Sequence, residues 1–287
     1  MVLKVPAPRA AEIAIGSIGC GYDISNDLSL NYCKGSRLIK IDEDEDEIVL
    51  PGGITLSNVS KSIKHYRGWQ TRMTSDVLSF QQMSEQFNQE ISLTGKIPSG
   101  HFNAMYDFSG CWQKDAANTT TLAFDWVFIS LYTVALEKSQ KVLCDHVRKA
   151  VPASWEPAAL ARFIDTFGTH IIVGDVIYMK QQHSSALQPA DVQKKLKDMA
   201  DKRFTDTNGQ YSTSSQHMFK NDEDIVTICK RGGSDVRNLS HNEWLQTVQS
   251  EPDVISMSFI PITSLLDGVP GCAMLCQAID LHLKCEQ

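Results

Sequence analysis

Past Ala158 the residues Leu160, Phe163, Ile164 and Phe167 recur three and four positions apart, so they line one face of a helix. Gly168 ends that helix, because glycine takes the left-handed C-cap conformation without steric penalty. Ile171-Ile172-Val173 then opens a strand. Residues 121–136 are aromatic and β-branched with little polar alternation, the pattern of a central strand covered on both faces. Residues 137–151 read as a helix with Val142, Leu143, His146 and Val147 inward, and the next helix is expected to start at an N-cap Ser154 with Pro157 in its first turn. Phe80, Met83, Phe87 and Ile91 predict a further helix, capped by Ser75. Residues 189–204 predict an amphipathic helix with Val192, Leu196, Met199 and Ala200 on its narrow face, and 205–216 a polar loop. Val254–Ile262 reads as a strand with Pro261 at an edge or end. Strands separated by groups of short helices make this an α+β chain rather than an alternating one.

The acidic run Asp42–Glu47 lies between two β-like segments, residues 37–41 and 48–51. It is expected to cap a solvated hairpin or loop, since adjacent carboxylates repel and resist burial. A calcium loop is the competing reading, but the spaced ligands and turn glycine of an EF-hand are missing. The chain has 287 residues, 42% hydrophobic and 21% charged, ordinary proportions for a globular protein. Its net charge of −7 argues against nucleic acid as a partner, which calls for a basic surface. Two prolines and Arg9 interrupt the N-terminus where a secretory signal needs an apolar run, and no stretch approaches about 18 uncharged apolar residues. The expectation is a cytosolic chain, not secreted, without a membrane span.

Eight cysteines spread along such a chain are expected to be reduced thiols. Cys272, Cys276, His282 and Cys285 are zinc-type ligands, but their spacing matches no common zinc module. Cys272, Met274, Leu275, Ile279 and Leu283 read instead as a core helix face, so no metal is assigned. Gly16-x2-Gly19-x-Gly21 inverts the dinucleotide fingerprint and no Gly-Lys-Ser/Thr follows, so no cofactor is assigned. The glycosylation sequons at Asn58, Asn118 and Asn238 have no secretory signal to accompany them. Phe102, Ala104, Tyr106 and Phe108 alternate with polar or flexible residues, the period of a barrel strand between lipid and lumen. A half-buried strand, or irregular packing, meets the same pattern.

The tetrad Phe167-Gly168-Thr169-His170 leading into a β-branched run resembles the signature of the membrane-attack-complex/perforin (MACPF) family. Gly19-Cys20-Gly21-Tyr22-Asp23, the tract from Phe108 to Asp115, Lys180-Gln181-Gln182-His183, Pro261-Ile262 and Leu265-Leu266 extend the resemblance over essentially the whole chain. They are similar to the plant branch of constitutively-activated-cell-death and necrotic-spotted-lesion proteins. The resemblance implies a single domain over 1–287, in which a bent four-stranded antiparallel sheet is flanked by two helical clusters, at about 56–115 and 184–250. It implies that such clusters unfurl into membrane hairpins in pore formers, and that relatives continue into a C-terminal region absent here. The implied role is negative regulation of salicylic-acid-mediated programmed cell death and immunity, through membrane lipid and homo-oligomers, peripheral at the plasma membrane. A soluble interaction module or inactive short isoform is the alternative; an enzyme built on His170 is a further one.

Two departures from the family pattern bear on this. Ile171 stands where an aromatic is usual, and a diglycine expected in the following strand is missing, with about six residues skipped after Gly174. An even deletion keeps the faces of the strand but shortens it by about 20 Å. Gly174 is then the candidate hinge, and Gly174→Val is expected to stiffen the strand without disturbing the core. The second cluster is rich in charge, from Lys194 to Arg203, and suits soluble packing better than lipid.

Overall fold

The two longest apolar runs become the two longest strands, and they pair with each other at the centre of the molecule. The computed structural model describes residues 5–26, 29–76, 78–90, 102–103, 106, 108, 112–119, 122–137, 141–186, 225–234, 239 and 241–285. The N-terminal half holds α1 (Ala7–Ser17), β1 (Gly21–Tyr22), the hairpin β2 (Glu45–Leu50) and β3 (Ile54–Ser60), then β4 (Ile63–Arg67), β5 (Gln70–Thr74), α2 (Phe80–Glu90) and α3 (Trp112–Asn118). The central strand β6 (Leu122–Leu136) leads through α4 (Asp145–Ala150) and α5 (Pro157–Phe167) to β7 (His170–Ala186). β8 (Ile225–Arg231), α6 (His241–Val248), β9 (Asp253–Pro261) and α7 (Cys272–Cys285) complete the described elements.

All pairings in the main sheet are antiparallel, and collinear partners reduce it to a four-stranded layout. β4 and β5 follow one another along one side of β6; β8 and β9 follow one another along the outer side of β7. β6 leaves β7 after Ala135↔Gly174, and β1 takes its place against His170 and Ile171. The interruptions fall in one row across the sheet. Gly68 and Trp69 break the first line, a register shift between Ser130 and Tyr132 breaks the second, and the excursion from Arg231 to Asp253 breaks the fourth, opposite Lys180 and Tyr178 of β7. A β-bulge bends its strand and raises the local twist, so this row is where the sheet bends. Gly68 is needed there: a Cβ would lie 1.9 Å from the Ser130 carbonyl oxygen and 2.4 Å from that of Leu131.

Below the bend both faces of the sheet are covered. Ile172, Tyr132, Val134, Met257 and Phe259 face α1 and the hairpin side chains Leu50, Leu56 and Val59. Ile171 and Ile262 face Leu160, Phe163 and Ile164 of α5, Val147 of α4 and Leu275, Ile279 and Leu283 of α7. Consecutive residues 171 and 172 therefore serve opposite cores, as the two-residue period of a strand requires.

Several sequence expectations are corrected. The hairpin turn is Pro51-Gly52-Gly53, with both glycines at positive φ (+88° and +76°), and the second half of the acidic run lies inside β2. Residues 56–74 are strands rather than part of a helical cluster, and helix begins only at Phe80. The cap of α2 is Ser79, whose hydroxyl accepts the Gln82 N–H at 3.4 Å while the Gln82 side chain accepts the Ser79 N–H at 3.1 Å, a capping box; Ser75 plays no such part. Helix α4 covers only 145–150, with Val142 and His146 exposed, and the N-cap of α5 is Glu156 rather than Ser154. Of the second cluster, residues 187–224, including the helix expected over 189–204 and its loop, lie outside the described residues. Among the described residues no helix is long and apolar enough to cross a membrane.

Candidate functional site

The signature tetrad forms a clamp between the two ends of the chain. Helix α5 stops at Gly168, φ +79°, whose N–H donates to the Ile164 carbonyl at 2.7 Å. The turn presses on β1 so closely that a Cβ on Gly168 would lie 2.6 Å from the Tyr22 carbonyl carbon, and one on Gly21 1.9 Å from the Phe167 oxygen. Two glycines face each other because no side chain fits between the backbones. Phe167 stacks in a tilted contact on Phe163, with centroids 4.8 Å apart, at the margin of the α5 core.

Thr169 serves both ends. Its N–H donates to the Tyr22 carbonyl at 3.0 Å, its hydroxyl to the same oxygen at 3.3 Å, and its carbonyl accepts the Ile262 N–H at 3.1 Å. The hydroxyl also accepts the Ile24 N–H at 3.3 Å and lies 3.0 Å from His170 Nδ1. The direction of the ring contact follows the imidazole tautomer: Nδ1 donates to the hydroxyl when it carries the proton and accepts from it when it does not. His170 is 6% exposed, packs edge-on against Phe259 and has its pKa lowered to about 4 by burial, a shift that the Asp23 charge opposes. The ring is therefore neutral near pH 7, and the hydroxyl beside it is engaged by backbone on two sides.

Asp23 closes the clamp on the C-terminal side. His282 of α7 donates from Nε2 to Asp23 Oδ2 at 2.6 Å, and Ser25 donates to Oδ1 from both its N–H (3.1 Å) and its hydroxyl (2.9 Å). Burial pushes the Asp23 carboxyl up, but the His282 and Ser25 hydrogen bonds outweigh it and hold the pKa below the ordinary value. Sequence reasoning singled out the tetrad and named Asp23 in a family motif and His282 among zinc-type ligands, but not the pairing of these two residues, which are 259 positions apart.

Gly174 lies outside the row marked by Gly68 and the Ser130/Tyr132 shift, beside a register shift of its own between Ile172 and Gly174 on the β9 side, and its φ is not positive. A Cβ there would lie 3.3 Å from the Ala135 Cβ and 3.5 Å from the Ser258 Cβ, so any side chain at this position meets both adjoining strands. The bend row carries another diglycine that the sequence reading passed over, Gly232-Gly233, at φ +73° and +70°. It is fastened to α6: Trp244 Nε1 donates to the Gly232 carbonyl at 3.1 Å and the Thr247 hydroxyl accepts the Ser234 N–H at 2.8 Å. An Arg-Gly-Gly-Ser turn after the β-branched run 225–228 was the available signal.

Phe102, Tyr106 and Phe108 form an aromatic cluster rather than an extended strand. Phe102 and Asn103 sit in a helical turn, and the Phe108 N–H donates to the Asn103 carbonyl at 2.9 Å. Phe102 is fully buried, 5.3 Å from Phe80 and 5.7 Å from Phe87 of α2; Tyr106 stacks on Phe108 at 5.6 Å. Leu122 of β6 completes the cluster, and Ala104 lies outside the described residues. The α2 helix thus holds these aromatics over the sheet.

The chain matches the family model for the MAC/Perforin domain over residues 10–285. Its relatives include three Arabidopsis thaliana proteins. MACPF domain-containing protein At4g24290 is 60% identical over 320 residues, covering 99% of this chain and 53% of that protein. MACPF domain-containing protein NSL1 is 44% identical, with 98% and 52% covered, and MACPF domain-containing protein CAD1 is 42% identical, with 94% and 50% covered. The chain thus spans about half the length of the curated relatives it matches. An alignment of 320 positions exceeds the 287 residues available, so At4g24290 carries residues within the matched region that this chain lacks. Among solved structures, GNIP1Aa from Chromobacterium piscinae superposes with a TM-score of 0.70 at 14% identity, covering 96% of this chain and 56% of that one, which shows the shared fold. The chain belongs to the MACPF family, in the branch represented in Arabidopsis by NSL1 and CAD1.

Proposed function

We propose that this domain is the assembly module of a membrane-associated regulator that restrains salicylic-acid-linked programmed cell death and immunity. It acts by self-association on a bilayer, at the cytoplasmic face of the plasma membrane, with an oligomeric pore as the final state. Family membership supports assembly on membranes, and the NSL1/CAD1 branch supports the cell-death role. The reading assigns no bond chemistry to His170, no metal, no cofactor and no nucleic acid.

The observation that carries the proposal is the aromatic cluster held over the sheet by α2. Tyr106 packs against it, and the buried hydroxyls of Tyr106 and of Ser84 on α2 have no hydrogen-bond partner among the described residues. A buried polar group left unsatisfied costs about 1–3 kcal/mol, so this cluster is easier to release than an apolar core of the same size. Once released and extended, Phe102, Ala104, Tyr106 and Phe108 would share one strand face suited to lipid.

Flotation on liposomes containing anionic lipid, with encapsulated dye, tests the proposal. Flotation with dye release supports the pore, and flotation alone supports a membrane-bound regulator. Neither result would leave a soluble interaction module or inactive short form. That second reading rests on the residues that At4g24290 carries within the matched region and this chain lacks.

A further inference from the structure

Helix α6 ends in a turn that holds the diglycine of the bend row. The Thr247 carbonyl accepts three hydrogen bonds there, from the Ser250 hydroxyl at 2.8 Å, the Glu251 N–H at 3.0 Å and the Ser250 N–H at 3.2 Å. The Glu251 carbonyl accepts the Gly233 N–H at 2.7 Å, and the Thr247 hydroxyl accepts the Ser234 N–H at 2.8 Å. Ser250 thus lies between the two residues that grip the diglycine, and it is exposed. The sequence Ser250-Glu251-Pro252-Asp253 places a carboxylate at the first and third positions after its hydroxyl, and no other serine or threonine of the chain has an acid at both. Ser75 and Ser84 each precede one acid directly, but both are buried.

We propose that Ser250 is a phosphorylation site for an acidophilic serine/threonine kinase, one whose basic substrate groove selects carboxylates just after the acceptor, and that the phosphate loosens α6 from Gly232-Gly233. The Ser250 hydroxyl oxygen attacks the γ-phosphorus of a nucleoside triphosphate. The bond from that phosphorus to the bridging oxygen breaks, the nucleoside diphosphate departs, and the hydroxyl proton passes to a base of the kinase. Nothing is oxidised or reduced.

The loosening follows from what the turn is made of. The esterified oxygen no longer donates to the Thr247 carbonyl, so one of its three hydrogen bonds is lost. The phosphate brings a charge of about −1.5 to −2 to the end of a helix, and that end is the C-terminal one, whose partial negative charge repels anions. Glu251 follows it directly and Asp253 lies two positions further on, so their charges add to the repulsion. Displacing Thr247 and Glu251 withdraws the acceptors of Ser234 N–H and Gly233 N–H, the links that fasten the diglycine. The signature clamp shares none of these groups, so the effect is confined to the bend and is independent of what the domain does at a membrane.

The test is incubation of the folded chain with magnesium ATP and a purified acidophilic kinase, followed by peptide mass mapping and amide exchange by NMR. One phosphate is expected on Ser250. Ser250→Ala should abolish its incorporation, and Glu251→Gln with Asp253→Asn should slow it severalfold. In the phosphorylated chain the Gly233 and Ser234 amides should exchange about two- to fivefold faster, the effect of an unfavourable charge at a helix end, while the Gly168 and Thr169 amides keep their rates. A phosphate on another residue instead, undiminished incorporation in either variant, or no phosphate at all would overturn the assignment of the site. Unchanged or slower exchange at Gly233 and Ser234 in the chain phosphorylated on Ser250 would overturn the loosening.

Discussion

Gly168 and His170 show how the signature acts at the scale of single residues. At Gly168 a left-handed φ and the approach of Tyr22 leave no room for a Cβ. Gly168→Ala is expected to destabilise the domain by about 1–3 kcal/mol from backbone strain alone, and more from the contact, measurable by urea denaturation. His170 makes stability depend on pH. Its folded pKa of about 4 lies below the ordinary 6.5, so the unfolded chain binds the proton first. This contribution is complete above pH 6.5, declines as pH falls and levels off near pH 4, by up to about 3 kcal/mol. Asp23 loses its own contribution only below the ordinary carboxylate value, so the two windows separate. Denaturation midpoints of His170→Asn should therefore be flatter between pH 6.5 and 4 than those of the wild type; an unchanged slope would assign the dependence to another group.

At the scale of elements, what was legible in the sequence is what local spacing determines. Helix α5, the strand β6 and helix α7 follow from runs of apolar residues whose period is set by their own backbone. Helix 137–151 failed because Leu143 pairs with Ile39, Lys40 donates to Val142 and Cys144 donates to Leu38, so a distant segment claims this backbone. The aromatic row is a different case: residues 102, 106 and 108 converge from a short helical turn, the irregular packing the sequence left open, and α2 supplies the surface they pack on. The bend is a property of four lines of backbone at once and has no single-segment signature, which is why Gly68 was not legible in the sequence. Gly174→Val should now destabilise by about 1–3 kcal/mol through overpacking against Ala135 and Ser258, whereas Gly174→Ala should be nearly neutral. Equal stability of Gly174→Val and wild type would return the hinge to that position.

At the scale of the molecule, the sheet is closed at one end by a circuit that joins the N-terminal strand, the signature turn and the last helix. The Asp23–His282 contact is its longest link, with side chains only 10% and 23% exposed. Removing one partner leaves the other poorly solvated, so His282→Ala is expected to cost about 1–3 kcal/mol. Much of that penalty belongs to the stranded carboxylate rather than to the bond, and it should shrink when Asp23→Asn is added. A double-mutant cycle by urea denaturation at pH 7 should therefore give a double variant less destabilised than the sum of the singles. Strict additivity would mean that the ends are held by packing alone. Because the contact lies at the foot of the sheet and the aromatic cluster near its other end, His282→Ala should leave the Phe80–Phe102 contact in place. Tryptophan or tyrosine fluorescence of the two regions during unfolding would then separate, with the foot melting first in the variant and both together in the wild type.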